Sequence, residues 1–340
     1  MMISICIATY KRPDHLKNVL HAYATLDSPP DFEVVVSDND PEASARIVCD
    51  EARTAGLHVN YMVNESNLGM VGNFNKSLSR AIGDYVVFNT DDDMPSAALL
   101  KTLVALKNNN AGYGAYFGAA GTFFADAQEA LSLGKQYGLH QQLAPRLEGS
   151  VLRLNPQEFI TRFFDGSIFP YFLWSTGMVK RDIALRIGGM PSYGSPYLTD
   201  FSYIALAGSQ EGMVAINTLL GYQTIHSENF GKLSNCTLAE GTIYARDFII
   251  NNLPAQLLTA RLRRSIDNFI GWWVVSQLVW MRKLAKFDKE LDASLAQQIR
   301  VLITKPFFIR LYPRYLARAY CPLIGKILNK ARKIIFQLHQ

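Results

Sequence analysis

The stretch ISICIATYKRPDHLKNVLHAYATLDSPPDFEVVVSDND, residues 3–40, decides the fold. ISICIA (3–8) and FEVVVS (32–37) are short, nearly continuous apolar runs rich in β-branched residues. That is the pattern of strands covered on both faces. Between them, DHLKNVLHAYATL (14–26) carries its apolar residues at helical spacing behind a proline. Strand, helix and strand in so short a span predict an α/β domain with a mostly parallel sheet flanked by helices.

The pattern continues outward. HVNYMV (58–63) and DYVVFN (84–89) predict two more strands, and PEASARIVCDEARTAG (41–56) and VGNFNKSLSRAIG (71–83) two helices, each closed by glycine. Ligands of such sheets bind beyond the carboxyl ends of the strands. Three of those ends read ATYKRPD, SDND and NTDDD, all polar and able to meet in one crevice. From about residue 110 the alternation fades: GYGAYFGAAGTFFADA is small and aromatic, and 127–150 reads as an irregular insertion. Helices are predicted at 156–164, 180–190 and 195–208, a strand at 172–179, and strands over 212–227. Beyond 240 the pattern is helical.

The chain has 340 residues, 49% of them hydrophobic and 19% charged, which is globular composition. Cys6, Cys49, Cys236 and Cys321 are scattered, without zinc-ligand spacing or a disulfide framework, as core thiols of a reducing cytoplasm would be. The opening MMISICIATYKRPDHL has no basic leader and does not read as a signal peptide. The apolar run FIGWWVVSQLVWM, 269–281, is shorter than the roughly 20 residues a spanning helix needs. The net charge of +5 conceals a division: residues 1–239 carry −6, residues 240–340 carry +11, and no acid follows Asp292. Such asymmetry points to an anionic partner.

In GDYVVFNTDDDMPS, 83–96, three adjacent carboxylates close a strand. Like charges that close raise one another's pKa unless a cation sits among them. One reading is a solvated turn capping a helix; the other is a divalent ion held by Asp91, Asp92 and Asp93 and shared with a phosphate. Asp38, in VVVSDNDPEA, suits either a contact to a nucleotide or a turn cap. NLGMVGNFN (67–75) suits a turn and a helix start, where phosphates also bind. The P-loop lysine signature and the G-x-G-x-x-G fingerprint are absent.

Taken together and in order, ISICIATYKRPDHL, VVVSDND and NLGMVGNFNKSLSRAIGDYVVFNTDDDM resemble the start of family 2 glycosyltransferases. The resemblance covers roughly residues 1–230, is strongest through 95, and is most similar to bacterial O-antigen and capsule members, the abequosyltransferase-like group included. It implies a GT-A fold over 1–239, a helical appendage over 240–340, and transfer of a sugar from a nucleotide-sugar donor with inversion. It implies a donor pocket lined by Ala8, Thr9, Tyr10, Arg12, Asn67, Gly69 and Asn73, with Asp38 on the base and Asp91 on the ribose. Asp93 and His226 would hold a Mn²⁺ or Mg²⁺ ion, with Asp92 able to replace either neighbouring acid.

The family's base stands at a helix start, often as Glu-Asp; here Asp200 fills the place behind Thr199. Trp174, Gly188 and Gly189 match a region shaping the sugar and acceptor pocket, with core packing an alternative for Trp174. FIGWWVVSQLVWMRKLAKF and PFFIRLYPRYLARAYCPLIGKILNKARKIIF mix aromatic, aliphatic and basic residues, which suits helices lying on an anionic membrane surface. The expected acceptor is therefore a lipid-linked or lipopolysaccharide saccharide, and the expected place is the cytoplasmic face of the membrane. So many large apolar residues disfavour nucleic acid as the partner. Two other readings remain: a degenerate GT-A protein that only binds carbohydrate, and a sugar-phosphate nucleotidyltransferase, although ATYKRPDH lacks that class's glycine-rich loop. A phosphatase would need partner residues that no clear set supplies.

Overall fold

The computed structural model describes residues 1–27, 29–132, 136–140, 147–168, 171–195, 197–226, 238–284 and 289–321. Cys236 and the basic tail beyond 321 lie outside the described residues. The chain forms two compact units, one of residues 1–157, 169–192 and 203–229, the other of 158–168, 193–202 and 230–340. The sequence reading places all of 1–239 together; the contacts instead group two earlier segments with the later helices.

The first unit is built on a mixed ten-stranded sheet. Its strands are β1 (Ile3–Thr9), β2 (Phe32–Asp38), β3 (Val59–Val63), β4 (Tyr85–Thr90), β5 (Met94–Pro95), β6 (Ala115–Phe124), β7 (Gly138–His140), β8 (Val151–Leu154), β9 (Gly177–Lys180) and β10 (Met213–Ile225). They lie in the order β3-β2-β1-β4-β9-β6-β10-β5, with β7 on β6 and β8 on β10. The pairs β1–β2, β1–β4, β2–β3 and β6–β10 are parallel; β9 runs antiparallel to both β4 and β6. Helices α1 (Pro13–Ala24), α2 (Arg46–Thr54), α3 (Gly69–Arg80), α4 (Leu99–Asn108), α5 (Ala127–Ser132), α6 (Pro156–Asp165), α7 (Arg181–Arg186) and α8 (Thr199–Glu211) alternate with the strands.

Two differences from the sequence reading have physical causes. Helix α2 starts at Arg46 rather than 41, because the Asp38 carboxylate accepts the Asp40 and Ala45 N–H groups and holds the intervening residues as a turn. The small-residue stretch after 110 is a buried ten-residue strand, β6. It needs those small residues: a Cβ on Gly118 would stand 2.3 Å from the Leu220 side chain of β10.

Parallel pairing brings the strand ends level, Thr9 beside Asp38 and Ala8 beside Thr90. Behind them Phe88 of β4 meets Phe74 of α3 at 5.5 Å and Tyr203 of α8 at 5.0 Å, edge to face. Each such pair adds about 0.5–1.5 kcal/mol beyond area burial. Cys6 and Cys49 lie in this core, and burial pushes both thiols up to about 12.

The second unit is helical, with helices at 238–252, 260–284, 289–302, 306–309 and 312–320. Phe269 gathers Phe163, Phe164 and Phe201 at 5.3–6.0 Å, which ties the two earlier segments to the long helix. Several of its cations lie on rings of the same unit: Arg314 over Trp272, Arg282 over Tyr320 and Arg246 over Phe307. Ile309, Leu316 and Tyr320 are exposed, as is Arg310. No helix of the described residues is long and apolar enough to cross a membrane.

Candidate active site

The acids stand on a turn pinned from both sides. Within it the Asp93 N–H donates to Thr90 Oγ1 at 3.0 Å, and Asn89 Nδ2 donates to the Asp93 carbonyl at 3.1 Å. Just beyond, Met94 and Pro95 pair antiparallel with Tyr222 and Gly221 of β10. That short ladder brings His226, which follows β10, to the acids 134 residues earlier.

Thr9 Oγ1 donates to Asp91 Oδ2 at 2.8 Å. Arg12 Nη1 reaches Asp91 Oδ1 at 3.1 Å and Asp92 Oδ2 at 2.8 Å. It gets there through a sharp turn in which Lys11 takes a φ of +54°, a conformation that costs of order 1 kcal/mol in a non-glycine residue. His226 Nε2 lies 3.0 Å from Asp92 Oδ2; because a carboxylate only accepts, Nε2 carries the proton of that bond. The ring of His15, in the first turn of α1, stacks on His226 with centroids 4.6 Å apart and planes 23° apart.

The three carboxylates are electrostatically unequal. Burial raises Asp91, and the charge of Asp92 adds to this against the pull of Arg12. Burial likewise raises Asp93, with the charges of Asp92 and Asp91 adding to it against hydrogen bonds from the Thr224 N–H and Thr90. Burial raises Asp92 too, but His226, Thr90 and Arg12 outweigh it and leave this carboxyl below the ordinary range. Asp92 is therefore the ionised member facing His226. The sequence reading paired His226 with Asp93; instead Asp93 Oδ1 accepts the Thr224 N–H at 3.1 Å and anchors the turn to β10.

The donor set suits a hard divalent cation. Oxygen ligands crowd a buried place where burial and neighbouring charge raise two of the three acids. Among the described residues no three His, Cys, Asp or Glu side chains form a ready cage. An ion here would draw part of its coordination from a ligand, as Mg²⁺ does with phosphates.

Asp38 has a different fate. It is 0% exposed, and its oxygens accept the Asp40 N–H at 2.9 Å, the Ala45 N–H at 3.2 Å and the Tyr61 hydroxyl at 2.8 Å. These contacts make it the cap of the turn that precedes α2. Asn67, Gly69 and Asn73 belong to an amide network that the sequence did not reveal. Asn73 Nδ2 donates to the Thr9 carbonyl at 2.9 Å, Asn64 Nδ2 to Asn73 Oδ1 at 3.0 Å and to Asn39 Oδ1 at 2.9 Å. Asn39 Nδ2 donates to Asn67 Oδ1 and to the Gly69 carbonyl, both at 3.0 Å. These amides fasten the start of α3 to the ends of β1 and β2. Ala8 ends its run inside β1, and Tyr10 stands exposed beside the cluster.

Trp174, half-buried, packs on Phe74 at 5.0 Å. Gly188 and Gly189 close α7, their N–H groups donating to Leu185 and Ala184 carbonyls. Gly189 has φ +71°, and a Cβ there would lie 2.3 Å from Asn75 Oδ1, the atom that accepts the Met190 N–H. The pair is a helix cap docked on α3. Asp200 belongs to the second unit. It accepts the Phe201 N–H at 2.8 Å, yet burial pushes its carboxyl up to about 6.

Arg12 is the residue just before α1, and His15 lies three residues on in its first turn. That spacing in RPDH was the available signal for His15, which the sequence reading passed over.

Residues 4–184 match the family described as glycosyl transferase family 2. The chain is 35% identical over 107 residues to abequosyltransferase RfbV of Salmonella typhimurium, covering 30% of this chain and 32% of the relative. It is 28% identical over 117 residues to a GalNAc(5)-diNAcBac-PP-undecaprenol beta-1,3-glucosyltransferase of Campylobacter jejuni, covering 34% and 37%. The chain spans about a third of the length of each of these relatives. In fold it is similar to the mannosyltransferase PcManGT of Pyrobaculum calidifontis, solved with GDP-Man and Mn²⁺ (TM-score 0.55, 15% identity, 93% of this chain and 85% of that one). It is also similar in fold to S. aureus TarS 1–349 in complex with UDP-GlcNAc (TM-score 0.53, 13% identity, 87% and 90%).

Proposed function

The chain belongs to glycosyl transferase family 2, and from that premise we propose that it moves one sugar, with inversion, from a nucleotide-sugar donor to a hydroxyl of a lipid-linked saccharide. The observation that carries this reading is the cluster of Thr9, Arg12, Asp91, Asp92 and His226 at the carboxyl ends of the strands. The loop of Ala8, Thr9 and Tyr10 receives the nucleotide. Arg12 and Thr9 keep the acids aimed, and Asp93 anchors their turn. Asp92 and His226 are the groups we assign to a divalent cation, Mn²⁺ or Mg²⁺, which when bound neutralises the donor's diphosphate and the charge that grows on it as it leaves.

Asp200 is assigned as the base. Its carboxyl, raised to about 6 by burial, suits proton abstraction near neutral pH. It takes the proton of the acceptor hydroxyl as that oxygen bonds the anomeric carbon from the face opposite the diphosphate. The bond to the diphosphate breaks, and its electron pair goes to the phosphate oxygen. A lipid-linked acceptor fits the name of the Campylobacter relative and the excess of basic residues beyond 240. We place the enzyme on the cytoplasmic membrane face, attracted to anionic lipid by that charge.

Thermal stabilisation by UDP, GDP, CDP and dTDP, each with and without Mn²⁺, tests the reading, because a ligand that binds the native state raises its stability. One nucleotide should raise the midpoint in a metal-dependent way that Asp92→Ala abolishes. No shift with any nucleotide, in a folded preparation, would favour a carbohydrate-binding protein without transferase activity.

A further inference from the structure

We propose that His15 is a positioning residue whose ring, stacked on His226, fixes the plane of that imidazole so that Nε2 stays on Asp92. This rests on the reading of Asp92 and His226 as the ion-facing pair, but the positioning is measurable without any ion. His226 stands just past the end of β10, where one edge of the ring bonds Asp92 and one face meets His15. The edge contact depends on the ring plane: rotation about the Cβ–Cγ bond swings Nε2 off the 3.0 Å bond. A stacked partner at 4.6 Å opposes that rotation while leaving the edge open.

The support is rigid. Helix α1 is seated through buried Leu16, Val19, Leu20 and Tyr23. The same first turn of α1 that follows Arg12 carries His15, so one element fixes the guanidinium on Asp92 and the ring against its partner. His15 thus acts through the face of its ring. Phenylalanine offers the same face; alanine offers none.

Two readouts on the full chain test this. In the metal-free protein, the His226 ring protons, assigned by their loss in His226→Ala, should carry an upfield ring-current shift. The shift should persist in His15→Phe and relax downfield in His15→Ala. In the second, Mn²⁺ alone is titrated by water-proton relaxation. His15→Ala should weaken binding about tenfold, as loss of an orienting partner does. His15→Phe should stay near the wild type, and His15→Ala with His226→Ala should match His226→Ala alone, since coupled residues are not additive.

Unmoved His226 protons in a folded His15→Ala protein would overturn the proposal. So would a double variant weaker than His226→Ala, or a Phe variant as poor as Ala; either would mean that His15 works through its own nitrogen. If the ring shift behaves as stated but the wild type binds no Mn²⁺, the positioning stands and the ion assigned to Asp92 and His226 falls.

Discussion

Two strands that flank β1 in one sheet end in acids that look alike in sequence, SDND after β2 and NTDDD after β4, and fold to opposite purposes. At the end of β2 the Asp38 carboxylate faces inward and is filled by two backbone N–H groups and a phenol. At the end of β4 Asp91 and Asp92 are held by side chains from distant segments, Thr9, Arg12 and His226, while Asp93 takes the Thr224 N–H. Backbone donors are fixed parts of the fold, so a carboxylate saturated by them is a structural joint. Carboxylates met by mobile, ionisable side chains remain able to exchange partners with a ligand. The pattern of donors separates the two roles where the residue types cannot.

Substitutions at the two strand ends should therefore fail in different ways. The largest effect is expected for Asp92→Ala: a loss of about a thousandfold in transfer rate, with the urea midpoint close to that of the wild type. Rates measured at saturating donor, beside a denaturation curve, check both halves; an unfolded variant would erase the distinction. Asp200→Asn extends the comparison to a third carboxylate, with a predicted rate loss of about a hundred- to a thousandfold. The wild-type rate should fall tenfold per pH unit below about 6, where Asp200 takes up its proton. Stability should move oppositely. The folded state holds this acid's pKa above its unfolded value, so the contribution present at low pH is lost as pH rises from 3.8 through about 6. Asp200→Asn should then melt about 2–4 °C above the wild type at pH 7.5, and with it at pH 4, after allowance for partial exposure.

Asp38→Ala should behave as a joint removed. It strands two backbone N–H groups and a phenol and should cost about 3 kcal/mol in urea denaturation. Activity per folded molecule should stay within a few-fold of the wild type. A thousandfold loss of activity in a stable Asp38→Ala protein would sink the comparison. The smallest effect is expected for Tyr61→Phe, which removes one hydrogen bond to Asp38 and should cost about 1 kcal/mol, read by the same denaturation.

The sequence made the first half of the sheet legible because its strands are nearly continuous apolar runs covered on both faces. It was less informative where a side chain overrides local pattern. The start of α2 depends on where one carboxylate points, and β6 is written in small residues whose meaning lies in the close approach of β10. At the site, the residue types were readable but their assignment was not. Three identical aspartates cannot announce which of them meets His226. The stack of His15 on His226 joins positions that only the closed sheet brings together. The role of Asn39 and Asn64 in bracing the Thr9 loop appears only when the strands are side by side.

The short ladder between Met94-Pro95 and β10 also bears on when the site comes into being. The acids leave the ribosome 134 residues ahead of the imidazole. At about 5–20 residues per second, the nascent chain carries its three carboxylates for roughly ten seconds before His226 has been made. For nearly all of that interval Thr224, whose N–H anchors Asp93 in the finished protein, is also still to come. The contacts that complete the constellation come from the end of β10, far along the chain from the acids they hold.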